Sequence, residues 1–216
     1  MSTVIFIGGA TACGKSTFAN ELNNHIIDSK KYRRYQGFFD IAKQKGIHQS
    51  QIFKQVSSEE VDDWFVNVCL ESDIVISDVH YAVQMNRNNS NSNEHVDIYQ
   101  AYVPTISKNL LQKLTLAGVN IVAIYLSCSP EKCLTRAVGR YERQEKELRT
   151  KSLEDAMLEN TAERKEWDNI VALNFVQGIE LNSEYYSPID LVNQSMRYLK
   201  EFLSDGKKLQ LAKKRK

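Results

Sequence analysis

Eight residues near the start of the chain, Gly9-Ala10-Thr11-Ala12-Cys13-Gly14-Lys15-Ser16, match the spacing G-x-x-x-x-G-K-[ST], and a second hydroxyl follows at Thr17. That pattern suits a polyphosphate. A glycine-containing turn lets successive backbone N–H groups converge on several oxygens, and the positive end of the following helix adds to them. Lys15 can reach the β- and γ-phosphates, and the Ser16 hydroxyl is placed to ligate Mg2+. The required context is present: an apolar run at residues 4–7 precedes the loop, and helical periodicity at 16–24 follows it. Residues 9–17 are therefore expected to bind a nucleoside triphosphate with Mg2+. Cys13 is read as a small loop residue, oxidisable in principle.

A second acidic element belongs with the first. The run "DIVISD" ends in Asp78, and a strand ending in Asp at such a site holds the metal directly or through water. Asp78 and Ser16 are thus the expected metal ligands. His80, two residues on, is a candidate for positioning water or acceptor, with a structural histidine as the alternative. Further along, Arg136, Arg140 and Arg143 fall at i, i+4 and i+7, which places them on one helical face, and Arg149 follows. Planar guanidinium groups suit the charge that spreads over a transferring phosphoryl group, so Lys15, Asp78, Arg136 and Arg140 form the expected catalytic set. Surface pairing with Glu142, Glu145 and Glu147 is the competing explanation for these arginines. The cluster "DSKKYRRYQGFF" at 28–39 offers Arg33 and Arg34 as anchors for an acceptor anion, with Tyr32, Tyr35 or Phe38 to stack on a base.

The elements that must position these groups follow from hydrophobic patterning. Continuous apolar runs at 4–7, 25–27, 74–76 and 121–126, and "GIELN" near 178–182, read as strands covered on both faces. Helical periodicity lies between them at 16–24, 58–70, 99–117 and 130–141. A longer polar helix at 152–176 is expected to end near Gly178, with a closing helix at 188–203. Ser57 reads as a cap and Pro130 as a first-turn residue. Alternating β and α predicts an α/β fold with a five-stranded parallel sheet between helical layers, whose ligands bind beyond the carboxyl ends of the strands.

The chain has 216 residues and a net charge of +1, enough for one domain of good size. Residues 1–204 are expected to form it, with an acceptor-binding insertion at 29–70, an arginine-bearing lid at 136–152 and a flexible Asn/Ser loop at 86–95. No apolar run approaches the ~20 residues that span a bilayer. Cys13, Cys69, Cys128 and Cys133 show no CxxC spacing, and His25, His48, His80 and His95 are scattered, so a reduced, cytoplasmic protein without a zinc site or membrane association is expected. The last ten residues carry six basic groups and no acid, leaving the remainder at −5. This tail at 205–216 offers a weak nucleic-acid contact or a localisation signal; a solvated terminus is the simpler reading.

Taken in order, "GGATACGKST", "VISDVH", "AYVPTISKNLLQKL", "IVAIYLSCSPEKCLTR", "EDAMLENTAERKEW" and "GIELN" resemble the P-loop nucleoside monophosphate kinase superfamily, most closely the archaeal type of adenylate kinase. The resemblance spans about residues 3–203. It implies ATP- and Mg2+-dependent phosphorylation of a nucleoside monophosphate beneath a closing lid. It also implies that Arg136 and Arg140 begin that lid, that Asn182 and Ser183 lie against adenine, and that the 29–70 region binds the acceptor, with Gln84 or Arg87 assisting. Two alternatives stand beside it: a kinase for another small molecule or a polynucleotide 5′ end, and a nucleotide-switched ATPase in RNA-associated assembly.

Overall fold

The computed structural model describes residues 2–84, 102–145 and 152–203. The chain runs β1 (Thr3–Gly8), α1 (Lys15–His25), β2 (Ser29–Lys31), α2 (Gln36–Lys45), a single 3-10 turn, α3 (Ile52–Gln55), α4 (Ser58–Leu70), β3 (Ile74–Asp78), β4 (Ala82–Gln84), β5 (Tyr102–Pro104), α5 (Lys108–Leu116), β6 (Asn120–Ser127), α6 (Pro130–Glu142), α7 (Leu153–Val171), β7 (Val176–Asn182) and α8 (Pro188–Leu203). Five strands form one parallel sheet in the order β2-β3-β1-β6-β7, and β4 and β5 form a small antiparallel pair. The expected α/β fold with its five-stranded parallel sheet is the fold observed.

β1 sits centrally and every residue of it is buried, as a strand covered on both faces requires. Its side chains alternate between two cores. Ile5 and Ile7 join Phe18, Leu22, Leu191 and Leu199 beneath α1 and α8. Val4 and Phe6 join Phe65, Leu110, Leu114, Trp167 and Ile170 beneath α4, α5 and α7. The Ser57 cap is a full capping box, with Ser57 and Glu60 each satisfying the other's backbone N–H. Ser129 caps α6 with Pro130 in its first turn.

Four expectations are corrected. The second strand is not at 25–27 but at the polar Ser29–Lys31; His25 ends α1 and Ile26 caps it, buried in the α1 core. Pairing with β3 at the sheet edge holds this short strand without an apolar run of its own. Residues 99–117 do not form one helix: β5 precedes α5, whose Ser107 cap sets the start. The long helix stops at Val171, and Val176 opens β7. Gly178 is consequently a mid-strand residue, not a cap. A Cβ there would lie 2.7 Å from Val171 Cγ1, so its role is close approach of α7 to β7. The 86–95 loop, most of the expected lid beyond Glu145, and the basic tail lie outside the described residues.

Candidate active site

Three neighbouring parallel strands, β3, β1 and β6, bring their carboxyl ends together, and the glycine loop leaves β1 at that edge. Gly14 is the N-cap of α1 with φ 102°, a left-handed conformation that glycine adopts without a Cβ penalty. Ala12 also has positive φ, at 66°, the alternation of hand that curls backbone amides toward an anion. The first intrahelical bond of α1 runs from Phe18 N–H to Gly14 O at 2.9 Å. The amides of Lys15, Ser16 and Thr17 precede it and lack helical acceptors. Lys15 is buried and folds back over the loop, donating from Nζ to Gly9 O at 2.6 Å and Ala10 O at 2.8 Å. These carbonyls hold the ammonium group at the mouth of the loop.

The two expected metal ligands meet. Ser16 Oγ donates to Asp78 Oδ2 at 2.7 Å, giving two hard oxygen donors, the type Mg2+ prefers. The structure also places basic groups on Asp78: Arg33 donates from Nε to Oδ1 at 2.8 Å and from its terminal nitrogen to Oδ2 at 2.6 Å, with Lys31 Nζ 3.5 Å away. Burial would raise the Asp78 carboxyl. The Arg33 and Ser16 hydrogen bonds, with the charges of Arg33 and Lys31, overrule it and hold the group well below the usual carboxylate range. Asp78 thus presents an ionised carboxylate whose two oxygens are both held by Arg33, so a metal ion at Asp78 would have to displace that guanidinium.

Arg34 does not accompany Arg33. It turns to buried Asp62 at 2.5 Å and to Ser58 O at 3.1 Å. Tyr35 and Phe38 pack with Phe39 and Phe53 in one aromatic cluster, and Tyr32 meets Trp64 edge-on. His80 joins two carboxylates that sequence reasoning had not singled out. Its Nδ1 donates to Glu163 Oε1 at 2.6 Å and lies 3.7 Å from Glu159. Glu163 is fully buried and also accepts from Tyr81 N–H. Glu159 accepts from both the N–H and hydroxyl of Thr11, which ties α7 to the glycine loop. The i, i+4 spacing of Glu159 and Glu163 within an otherwise expected helix was the available signal.

The expected lid arginines sit on the opposite flank. Arg136 donates to Ser183 O at 2.9 Å and to Cys128 Sγ at 3.5 Å, joining the ends of β6 and β7 through α6. Arg140 donates to Arg136 O at 3.4 Å, so it backs Arg136 within the same helix. Arg143 pairs with Glu145, the surface alternative. Thr17 is exposed on α1, and Gln84 is exposed on β4; Arg87 and Arg149 lie outside the described residues. The arrangement unites Lys15, Ser16, Asp78 and Arg33 in one constellation, with His80 linked to the loop through Glu159. Arg136 and Arg140 form a second group.

No family model matches the chain, and no curated protein matches it. Solved structures do. A tunicamycin resistance protein from Deinococcus radiodurans is 12% identical over 99% of each chain, with a TM-score of 0.59. A candidate kinase from Chloroflexus aurantiacus is 13% identical over 93% of this chain and 97% of its own, with a TM-score of 0.51. The chain shares its α/β fold with these proteins.

Proposed function

We propose that the chain is an ATP- and Mg2+-dependent phosphotransferase that moves the γ-phosphoryl group to a small acceptor. The observation that carries this reading is the meeting of Lys15, Ser16 and Asp78 at the carboxyl ends of adjacent strands, beside helix amides without acceptors. Bound Mg2+ would neutralise phosphate charge, with Ser16 and Asp78 as its protein ligands. Lys15 leaves its two carbonyls for phosphate oxygens and follows the charge as it moves to the leaving group. Arg136, held between Cys128 and Ser183, is set to flank the nucleotide from the β6–β7 side, and Arg140 buttresses it. Closure of a lid over this edge would exclude water and suppress hydrolysis. The Chloroflexus aurantiacus protein of the same fold, itself described as a candidate kinase, supports the reading.

The acceptor is a nucleoside monophosphate in the reading that the sequence resemblance implies. Arg33 is its best anion anchor, because a cation entering at Asp78 frees the guanidinium beside the transfer site. A different small-molecule acceptor is the second reading. It is favoured by Arg34, which is committed to Asp62 and therefore unavailable as the second anchor. A panel of nucleoside monophosphates and small hydroxyl compounds, offered with γ-labelled ATP, tests both. Label in a nucleoside diphosphate supports the first reading, and label only in a non-nucleotide supports the second. Label in neither class from folded, ATP-binding protein contradicts the proposed activity.

A further inference from the structure

Cys128 stands apart from the other thiols. It immediately precedes Ser129, the N-cap of α6, whose Oγ accepts from Lys132 N–H at 3.4 Å. Cys128 and Cys133 therefore occupy the N′ and N4 positions, which face each other across the first turn of a capped helix. The first turn brings the two thiols close enough for each to be the largest influence on the other's acidity. Both thiols are buried in the α1–α8 core, but Cys133 is 1% exposed and Cys128 8%, and the accessible edge of Cys128 lines an open cleft of about 570 Å³ shared with Tyr125, Asn160 and Arg164. Arg136 brings a guanidinium nitrogen to 3.5 Å from Cys128 Sγ, and the positive end of α6 adds to it.

We propose that Cys128 is an oxidative modification site, attacking hydrogen peroxide with Cys133 as its resolving thiol, and that the resulting disulfide withdraws Cys128 from Arg136. The Cys128 thiolate attacks one peroxide oxygen. The O–O bond breaks, hydroxide leaves and takes a proton to form water, and Cys128 becomes a sulfenic acid. The Cys133 sulfur then displaces the sulfenic hydroxyl, forming the S–S bond and breaking the S–O bond. The Cys133 proton leaves with that hydroxyl as a second water. Two thiols have lost two electrons, and one peroxide has become two waters.

The polarity of the pair is fixed by its surroundings. The Cys133 hydrogen bond, then the Arg136 charge, lower the Cys128 thiol against the opposing effect of burial. Cys133 is raised, first because its proton is given to Cys128 and then by burial. Burial raises Cys13 as well, and pushes Cys69 up to about 12. Attack thus begins at the cleft-facing sulfur, and the proton-bearing partner follows. The N′–N4 pair is otherwise a packing staple, which by itself predicts no selectivity among the four thiols.

The test exposes full-length protein to one equivalent of hydrogen peroxide, blocks remaining thiols with iodoacetamide, and maps the peptides by mass. A Cys128–Cys133 disulfide reversed by dithiothreitol is expected, with Cys69 still alkylated. Cys133→Ser should stop at a sulfenic acid trapped by dimedone, and Cys128→Ser should form neither product. Without relying on any variant, unoxidised protein should alkylate at Cys128 about tenfold faster than at Cys69. Equal alkylation rates, or peroxide loss of Cys13 or Cys69 ahead of Cys128, overturn the proposal. The chemistry is independent of the proposed function. Only its consequence, weaker uptake of a non-hydrolysable ATP analogue after oxidation, rests on that reading. A disulfide that forms in protein unable to bind nucleotide contradicts the phosphotransferase, not the thiol site.

Discussion

The β1–α1 and β2–α4 sides of the candidate site solve the same electrostatic problem in opposite ways. On the first, nine consecutive residues at 9–17 supply backbone amides, an ammonium group and a hydroxyl, and the helix they start is anchored by Phe18 and Leu22 in the core. On the second, charge is held by side chains reaching across sequence: Arg33 to Asp78, Arg34 to Asp62, Lys45 to Glu60. The helices there pack on a small core of Ile41, Ile52, Val56 and Val61, and they expose Tyr35 and Phe53. Main-chain amides cannot be relocated without refolding the loop. Ion pairs can exchange partners. In the proposed reading the first side grips, and on the second only Arg33 changes hands when a cation or an acceptor arrives, while Arg34 stays committed to buried Asp62.

Breaking that division should have graded effects. Asp78→Asn removes the charge that both sides share, so it should lower phosphoryl transfer by about 100-fold, measured as kcat at saturating ATP across a Mg2+ series; unaltered transfer at every Mg2+ concentration would separate Asp78 from the metal. Arg34→Ala leaves the Asp62 carboxylate buried without its guanidinium, and should cost about 3 kcal/mol in urea unfolding. That variant's loss should fall on stability, with the affinity for Mg2+–ATP retained, because Arg34 never reaches the loop. The smallest effect is on the rim of the ion-paired side, where Ser57→Ala removes one half of the α4 capping box and should cost about 1 kcal/mol by the same measurement.

Acidity sharpens the comparison further. Asp78 is held below its ordinary value in the folded protein. Its contribution to stability is therefore fully present above the unfolded carboxyl value of about 4 and is lost as pH falls through the lower folded value. Thermal unfolding midpoints of wild type and Asp78→Asn should differ at neutral pH and converge in strong acid. A constant difference down to the lowest accessible pH would show that the Arg33 and Lys31 pairings contribute nothing through Asp78.

This contrast also explains what could be read from the chain. The glycine loop, its flanking strand and helix, and the Ser57 and Ser129 caps are contiguous in sequence, so local chemistry marks them. β2 has no apolar residue and exists only because β3 offers a paired edge. α7 and β7 merge in any hydrophobic scan, because Trp167, Ile170, Val171, Leu173 and Val176 share one core across the helix-to-strand break. Glu159 and Glu163 were visible as helical neighbours, but nothing in their sequence says that one grips Thr11 and the other His80. Arg33 and Arg34 are adjacent and identical in type, yet one serves the loop and the other a buried aspartate, a difference set 28 and 45 residues away.

The central claim is that the loop at 9–17 grips a polyphosphate with help from Lys15 and a divalent ion. Calorimetry of the full chain with a non-hydrolysable ATP analogue, with and without Mg2+, tests it most directly. The account predicts one site per chain, tightened by Mg2+ and weakened by about 100-fold or more in Lys15→Ala. Folded wild-type protein that takes up no triphosphate with Mg2+ present, or a Lys15→Ala variant that binds equally well, would contradict it.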